Sequence, residues 1–190
     1  MKLADRVIAW NAARYDQVNS AALTHKLLAE EIDELEKAKD PVEVLDAIGD
    51  IAFVVGGALW KAGFDRDSIS FAYDAVQELH GPSTSLNYLR DFLTDNIVDL
   101  TDRKLDKMEH YYAELVLREC GYALFLIIPS KLRELGLLDE FKRILNAICD
   151  SNDTKEVKGK VAANVKANIT KGANFVPPTE ALKTILAEAH

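Results

Sequence analysis

The stretch Lys26–Gly63, KLLAEEIDELEKAKDPVEVLDAIGDIAFVVGGALWKAG, decides the reading of this chain. It parses as two helices folded back on each other about Asp40-Pro41. Asp40 is placed to cap the second helix, Pro41 suits its first position, where no N–H is needed, and Glu43 stands where a capping box would close. Gly63 provides the stop. Residues three or four apart share a helix face, so Glu30, Glu31 and Glu34 cluster on the first helix and Asp46 and Asp50 on the second. Glu34 and Asp46 each lie six residues from Asp40, and Glu31 and Asp50 lie nine and ten away. In an antiparallel pair rising about 1.5 Å per residue, these acids stand at matching heights and converge if both faces turn inward.

An acidic run such as EEIDELEK is ordinarily a solvated helix face. The second cluster argues otherwise, because Ile51–Trp60 carries no charge and reads as a buried helix. Buried carboxylates need a partner. A divalent cation supplies one, and all-oxygen ligation favours Mg²⁺ or Mn²⁺ over zinc.

These residues resemble the MazG-like, all-α nucleoside triphosphate pyrophosphohydrolase superfamily, whose pattern is ExxE followed by ExxD. Glu31-x-x-Glu34 matches the first half. In the second half Ala47 stands three before Asp50 and the acid is at Asp46, a DxxxD spacing similar to the phosphoribosyl-ATP-pyrophosphohydrolase-like, phage-rich branch. Ser151-Asn152-Asp153-Thr154-Lys155 and Lys171-Gly172-Ala173-Asn174-Phe175-Val176-Pro177-Pro178 resemble the SNxSK and KGxxFxPP segments of that branch. The matches cover residues 20–63 and 140–188; between them the family pattern is lost.

The resemblance implies an all-α, MazG-like helical bundle forming a single domain over residues 1–190. Its core would be residues 1–64 and 138–190, with a helical insertion over about 65–137 serving as extra bundle helices, a lid or an oligomer interface. It implies an Mg²⁺-dependent (or Mn²⁺-dependent) hydrolase that converts a nucleoside triphosphate, or deoxynucleotide, to monophosphate and pyrophosphate. Glu31, Glu34 and Asp50 would be the metal ligands with Asp46 as the fourth. Glu30 or Glu31 would orient or deprotonate the water, Lys155 and Lys171 would contact phosphates, and Asn152 phosphate or sugar. A homo-oligomer, dimer or tetramer, is the expected assembly. Phosphoribosyl-ATP is the alternative substrate.

The rest of the chain bounds these expectations. The 190 residues suffice for a sizeable core, and 48% hydrophobic with 28% charged residues fit a globular protein. A net charge of −8 argues against a general nucleic-acid surface, which needs basic patches. Cys120 and Cys149 lie in no CxxC and read as buried thiols of a reducing cytosol. No signal-peptide core or transmembrane run is found, so a cytoplasmic protein is expected.

Helical spacing is expected over residues 2–17, with Trp10, Asn11 and Arg14 read as core or surface residues that a first helix could also bring to the site. Further helices are expected from Asp65 or Asp67 to Leu79, Leu86 to Val98, and Lys104 to Ile128, with a break at 99–102 and a stop at Pro129-Ser130. Others follow over Leu138–Asp150 and Glu180–Glu188, the last capped by Thr179. Glu156–Thr170 reads equally as loop, hairpin or helix. His25 is assigned to helix surface or core. A di-iron carboxylate bundle needs Glu-x-x-His pairs, whereas Gln77 and Lys107 precede His80 and His110. A non-catalytic helical interaction protein, its acids only solubilising, is the remaining alternative.

Overall fold

The fold is described by a computed structural model over residues 2–156, 159–162, 164–167 and 169–189. Among these the chain is all-helical, with only two isolated bridges, Tyr15 to Val161 and Glu156 to Thr170, in place of strands. No described helix is long and apolar enough to cross a membrane.

The organising element is α3 (Pro41–Lys61), which follows α1 (Leu3–Ala12) and α2 (Ala21–Lys37). From Leu45 to Leu59 it is apolar nearly all round, and Leu45, Ile48, Ile51, Ala52 and Val55 are fully enclosed. A helix of that composition has to be surrounded. Its neighbours are α1, α2, α4 (Arg66–Val76), α6 (Lys107–Tyr122), α7 (Ile128–Glu134), α8 (Phe141–Asp153) and α9 (Thr179–Ala189); α5 (Pro82–Asp102) packs chiefly on α6. The main hydrophobic core runs from Ala4 to Ile185 and draws on residues 65–137 as well as on the flanking segments, and a smaller cluster joins Tyr15, Leu23 and Ala167.

The ends of α3 are set by local chemistry. Asp40 accepts the N–H of Glu43 at 3.0 Å. Glu43 accepts from Lys39 at 2.6 Å rather than from Asp40, so the expected reciprocal box is displaced by one residue. At the other end Phe64 N–H donates to Leu59 O (3.0 Å) and Gly63 N–H to Trp60 O (2.9 Å), with Gly63 at φ +89°. That is a Schellman stop, whose left-handed residue suits glycine. Ser20 caps α2 through the N–H of Leu23, and Asp65 caps α4 through that of Ser68.

Several expected boundaries move. α1 ends at Ala12, short of residue 17, because the Arg14 and Tyr15 N–H groups turn back to Asn11 O. α4 stops at Val76 rather than Leu79. α5 begins at Pro82 and runs through 99–102, where a break is expected: Leu100 is fully buried, and Asp99 pairs with Arg103 one turn on at 2.6 Å. Pro129 likewise does not end its helix. A π-helical turn over Ala123–Ile127 precedes it, and α7 continues to Glu134. The wider turn shifts the bonding ladder where proline lacks an N–H and its ring would crowd the preceding carbonyl. α8 runs three residues beyond Asp150, to Asp153. The Glu156–Thr170 segment is loop at its described positions; Val157, one of its spaced apolar residues, lies outside the described residues.

Arg6 ties α1 to α8, donating to Asp153 (2.6 Å), Asp150 (2.7 Å) and Asn146 (2.7 Å). α3 also lies unusually close to α4: a Cβ at Gly56 would collide with the Tyr73 hydroxyl, which donates to Ala52 O at 2.9 Å. Gly56→Ala is therefore expected to lower stability by about 1–3 kcal/mol in urea unfolding, the usual cost of overpacking. A variant as stable as the parent would show that the α3–α4 contact yields freely.

Candidate functional site

Glu31 lies on the inward side of α2, and Asp50 faces it from α3 at the point where the apolar stretch of that helix begins. Together with Glu34 they line one wall of a cavity of about 330 Å³. Asn152, Lys155, Lys166 and Lys171, from the far end of the chain, line it as well, as do Trp10, Asn11 and Tyr15 of the first segment. No described residue between 62 and 151 lines this cavity.

The distant segment is held by backbone acceptors. The Trp10 indole N–H donates to Asn152 O at 3.1 Å, and Arg14 donates to Lys155 O at 3.2 Å. Arg14 is itself buried, stacked 3.8 Å over the Trp10 ring, so it fixes the wall from behind. The following loop is strapped to the end of α1. Val161 N–H donates to Arg14 O (2.9 Å), and Ala167 N–H donates to the Tyr15 hydroxyl (3.0 Å). Lys166 then reaches Glu30 as an ion pair.

The acids are strained as anions. Burial first, and then the charges of Asp50 and Glu34, push the Glu31 carboxyl up to about 8 from its ordinary value of 4.5. Burial first, and then Asp46, push Asp50 up to about 7 from 3.8, against the opposing pull of Lys155 and Lys171. Asp46 is raised too, mainly by burial. Lysines on the opposite wall therefore offset these carboxylates only in part, and a bound cation would relieve them further.

Placement of the expected residues is as follows. Glu31, Glu34, Asp50, Asn152, Lys155 and Lys171 meet around the cavity. Asp46 stands behind Asp50, within the field of Glu34, Lys155 and Lys171, without itself lining the cavity. Glu30 is turned to Lys166. His25 is on the surface, 2.7 Å from Glu119, and Cys120 and Cys149 are buried free thiols. Two cations escaped the sequence reading. Lys166 falls in the segment without clear periodicity, and Lys61 reads as an ordinary helix end. No signal in the sequence separates either from a surface lysine.

No family model matches this chain, and no curated protein or solved structure matches it.

Among the described residues no three His, Cys, Asp or Glu side chains are grouped as they would be around a metal ion. The chemistry of the donors nonetheless suits a hard divalent cation: they are all carboxylate oxygens, drawn from two facing helices and unfavourable as bare anions.

A carboxyl whose pKa is raised on folding binds more protons in the native state. Its stabilising contribution is complete below the unfolded value near 4 and is lost as pH rises through the folded value. Without divalent cations, urea stability is thus expected to fall between about pH 5 and pH 8. Glu31→Gln should flatten that fall and leave the protein about 1–3 kcal/mol more stable at pH 8. A variant with the parent's pH slope would mean that Glu31 is freely solvated.

Proposed function

We propose that this chain is a divalent-cation-dependent nucleoside triphosphate pyrophosphohydrolase of the MazG-like type, releasing nucleoside monophosphate and pyrophosphate. The observation that carries the proposal is the meeting of Glu31, Glu34 and Asp50 with Asn152, Lys155 and Lys171 around one cavity. Those two groups are the two halves of the sequence resemblance, and they lie about a hundred residues apart in the chain.

Glu31, Glu34 and Asp50, with Asp46 behind them, would hold the cation; when bound it neutralises phosphate charge and acidifies water. Lys155, Lys166 and Lys171, which line the same cavity as the acids, would meet the polyphosphate, and Asn152 the phosphate or sugar. The water oxygen forms a bond to phosphorus as the anhydride P–O bond breaks, and the departing phosphate leaves as pyrophosphate or monophosphate according to which side is attacked. Glu30 or Glu31, whichever carboxylate the cation does not fully use, would orient that water or take its proton. Glu30 is held by Lys166. The partly apolar cavity limits competing solvent. Assembly as a dimer or tetramer in the cytoplasm belongs to the same proposal.

Mg²⁺ is expected to raise the melting temperature of the parent, since a ligand at 100 times its Kd adds about 2.7 kcal/mol. Asp50→Asn should lose that rise and reduce turnover by at least about 100-fold, with its helical circular dichroism intact. Assays of ATP, GTP, UTP, dTTP and phosphoribosyl-ATP with Mg²⁺ should yield pyrophosphate. Release of single phosphates only, no turnover of any of these substrates, or normal turnover by Asp50→Asn would refute the assignment.

A further inference from the structure

Lys61, at the last turn of α3, is the one charged residue described in the cavity lining whose chemistry the hydrolysis does not use. It is only 6% exposed, yet its ammonium sits 3.5 Å over the Tyr15 ring rather than against a carboxylate. Burial alone lowers its pKa, to about 8, with no described charge opposing the shift. The ammonium borders this cavity and a second one lined by Asn19 and Glu109, and with the Tyr15 ring face as its described neighbour its three donors are open to an acceptor that enters the acid-bearing cavity.

Its position along α3 indicates what that acceptor belongs to. Asp50, Val54, Gly57 and Lys61 follow at intervals of four, three and four, so they form one stripe on the cavity side. Asp50 and Lys61 stand about 16 Å apart along the helix, comparable with the length of an extended nucleoside triphosphate. The acid end carries Lys155, Lys166 and Lys171, whose charges act on the carboxylates there. Between the ends the wall is apolar: Phe53, Val54, Gly57 and Ala58, faced by Trp10 and Leu27. Gly57 admits the buried Asn11 carboxamide, since a Cβ there would lie 2.7 Å from its nitrogen and its oxygen. A ligand whose polyphosphate lies at the acid end therefore lays its sugar and base along the apolar stretch and brings the far edge of the base to Lys61.

We propose that Lys61 reads a keto oxygen on the base, so that the site selects guanine and the pyrimidines over adenine, whose edges carry no oxygen. An ammonium hydrogen-bonds strongly to a carbonyl oxygen. Against adenine, this buried donor keeps only weaker ring-nitrogen acceptors, and a site built around a hydrogen bond penalises a ligand that lacks its partner. The inference rests on the nucleotide reading of the cavity, but it is separable from hydrolysis.

The experiment is calorimetric titration of GMP, UMP and AMP into the full-length parent and into Lys61→Met and Lys61→Gln, alongside kcat/KM for GTP, UTP and ATP with Mg²⁺. GMP and UMP should bind the parent about ten-fold or more tighter than AMP, and both variants should bring the three close to parity. Lys61→Met should melt no lower than the parent, because it removes a desolvated charge. Equal or tighter binding of AMP to the parent overturns the proposal whether or not the variants fold, and so does a keto preference that survives both substitutions. Keto-selective, Lys61-dependent binding without turnover would uphold it while refuting the pyrophosphohydrolase. Turnover without base preference would do the reverse. Failure of every nucleotide to bind would remove both.

Discussion

Carboxylates placed on a helix that the fold must surround are the constraint from which the rest of this structure follows. α3 is apolar on nearly every side, and its burial against seven neighbouring helices sets it at the centre of the core. Asp46 and Asp50 ride on that same helix, so they are carried out of water along with it. Desolvation is the largest cause of the upward shift at Asp46, at Asp50 and at Glu31 across the gap. Such an arrangement lowers the stability of the empty protein and concentrates negative charge at one end of a cavity. Elsewhere many acidic residues are paired at the surface, as Asp99 is with Arg103 or Glu114 with Arg118. Among the described residues, the carboxyls that burial pushes upward are Glu31, Asp46 and Asp50.

Rigid backbone contacts hold the opposite wall. Trp10 and Arg14, at the end of α1, use their side chains to hold carbonyls of the 152–155 segment, and Arg6 clamps α1 onto α8 through three acceptors. At its described positions the loop that carries Lys166 has only isolated bridges, and it is held by the Tyr15 hydroxyl and by Arg14 O. One short stretch, residues 6–15, thus positions the cationic half of the site. The helices between residues 65 and 137 contribute to the core without lining the cavity. They bear on the site through α3, through α6 packed on α2 and through α4 packed on α1.

Features governed by neighbouring residues were legible in the sequence. The α2–α3 hairpin, its Asp40 cap and its Gly63 stop depend on hydrogen bonds within a few residues, and the uncharged run after Asp50 implies a buried helix wherever it lies. Boundaries that depend on distant packing were not. Asp99–Asp102 has the composition of a break, yet the burial of Leu100 carries the helix through it. Pro129 has the properties of a stop, yet a π-turn just before it absorbs the missing N–H. Arg14 could be assigned to the surface, but stacking on Trp10 and an acceptor on Lys155 bury it.

The sequence by itself indicated an all-helical chain, two acidic clusters at matching heights on a hairpin, and a buried helix following the second. Those properties follow from helical periodicity and local capping, both of which act over one or two turns. Only the tertiary structure decided which cations stand opposite the acids, and that Glu30 turns to Lys166 while Glu31 lines the cavity. It alone distinguished Lys61 from any other lysine at a helix end. A lysine acquires a role from what surrounds it, and here the surroundings, Tyr15 and the apolar face of α3, come from residues that meet only when the chain has folded.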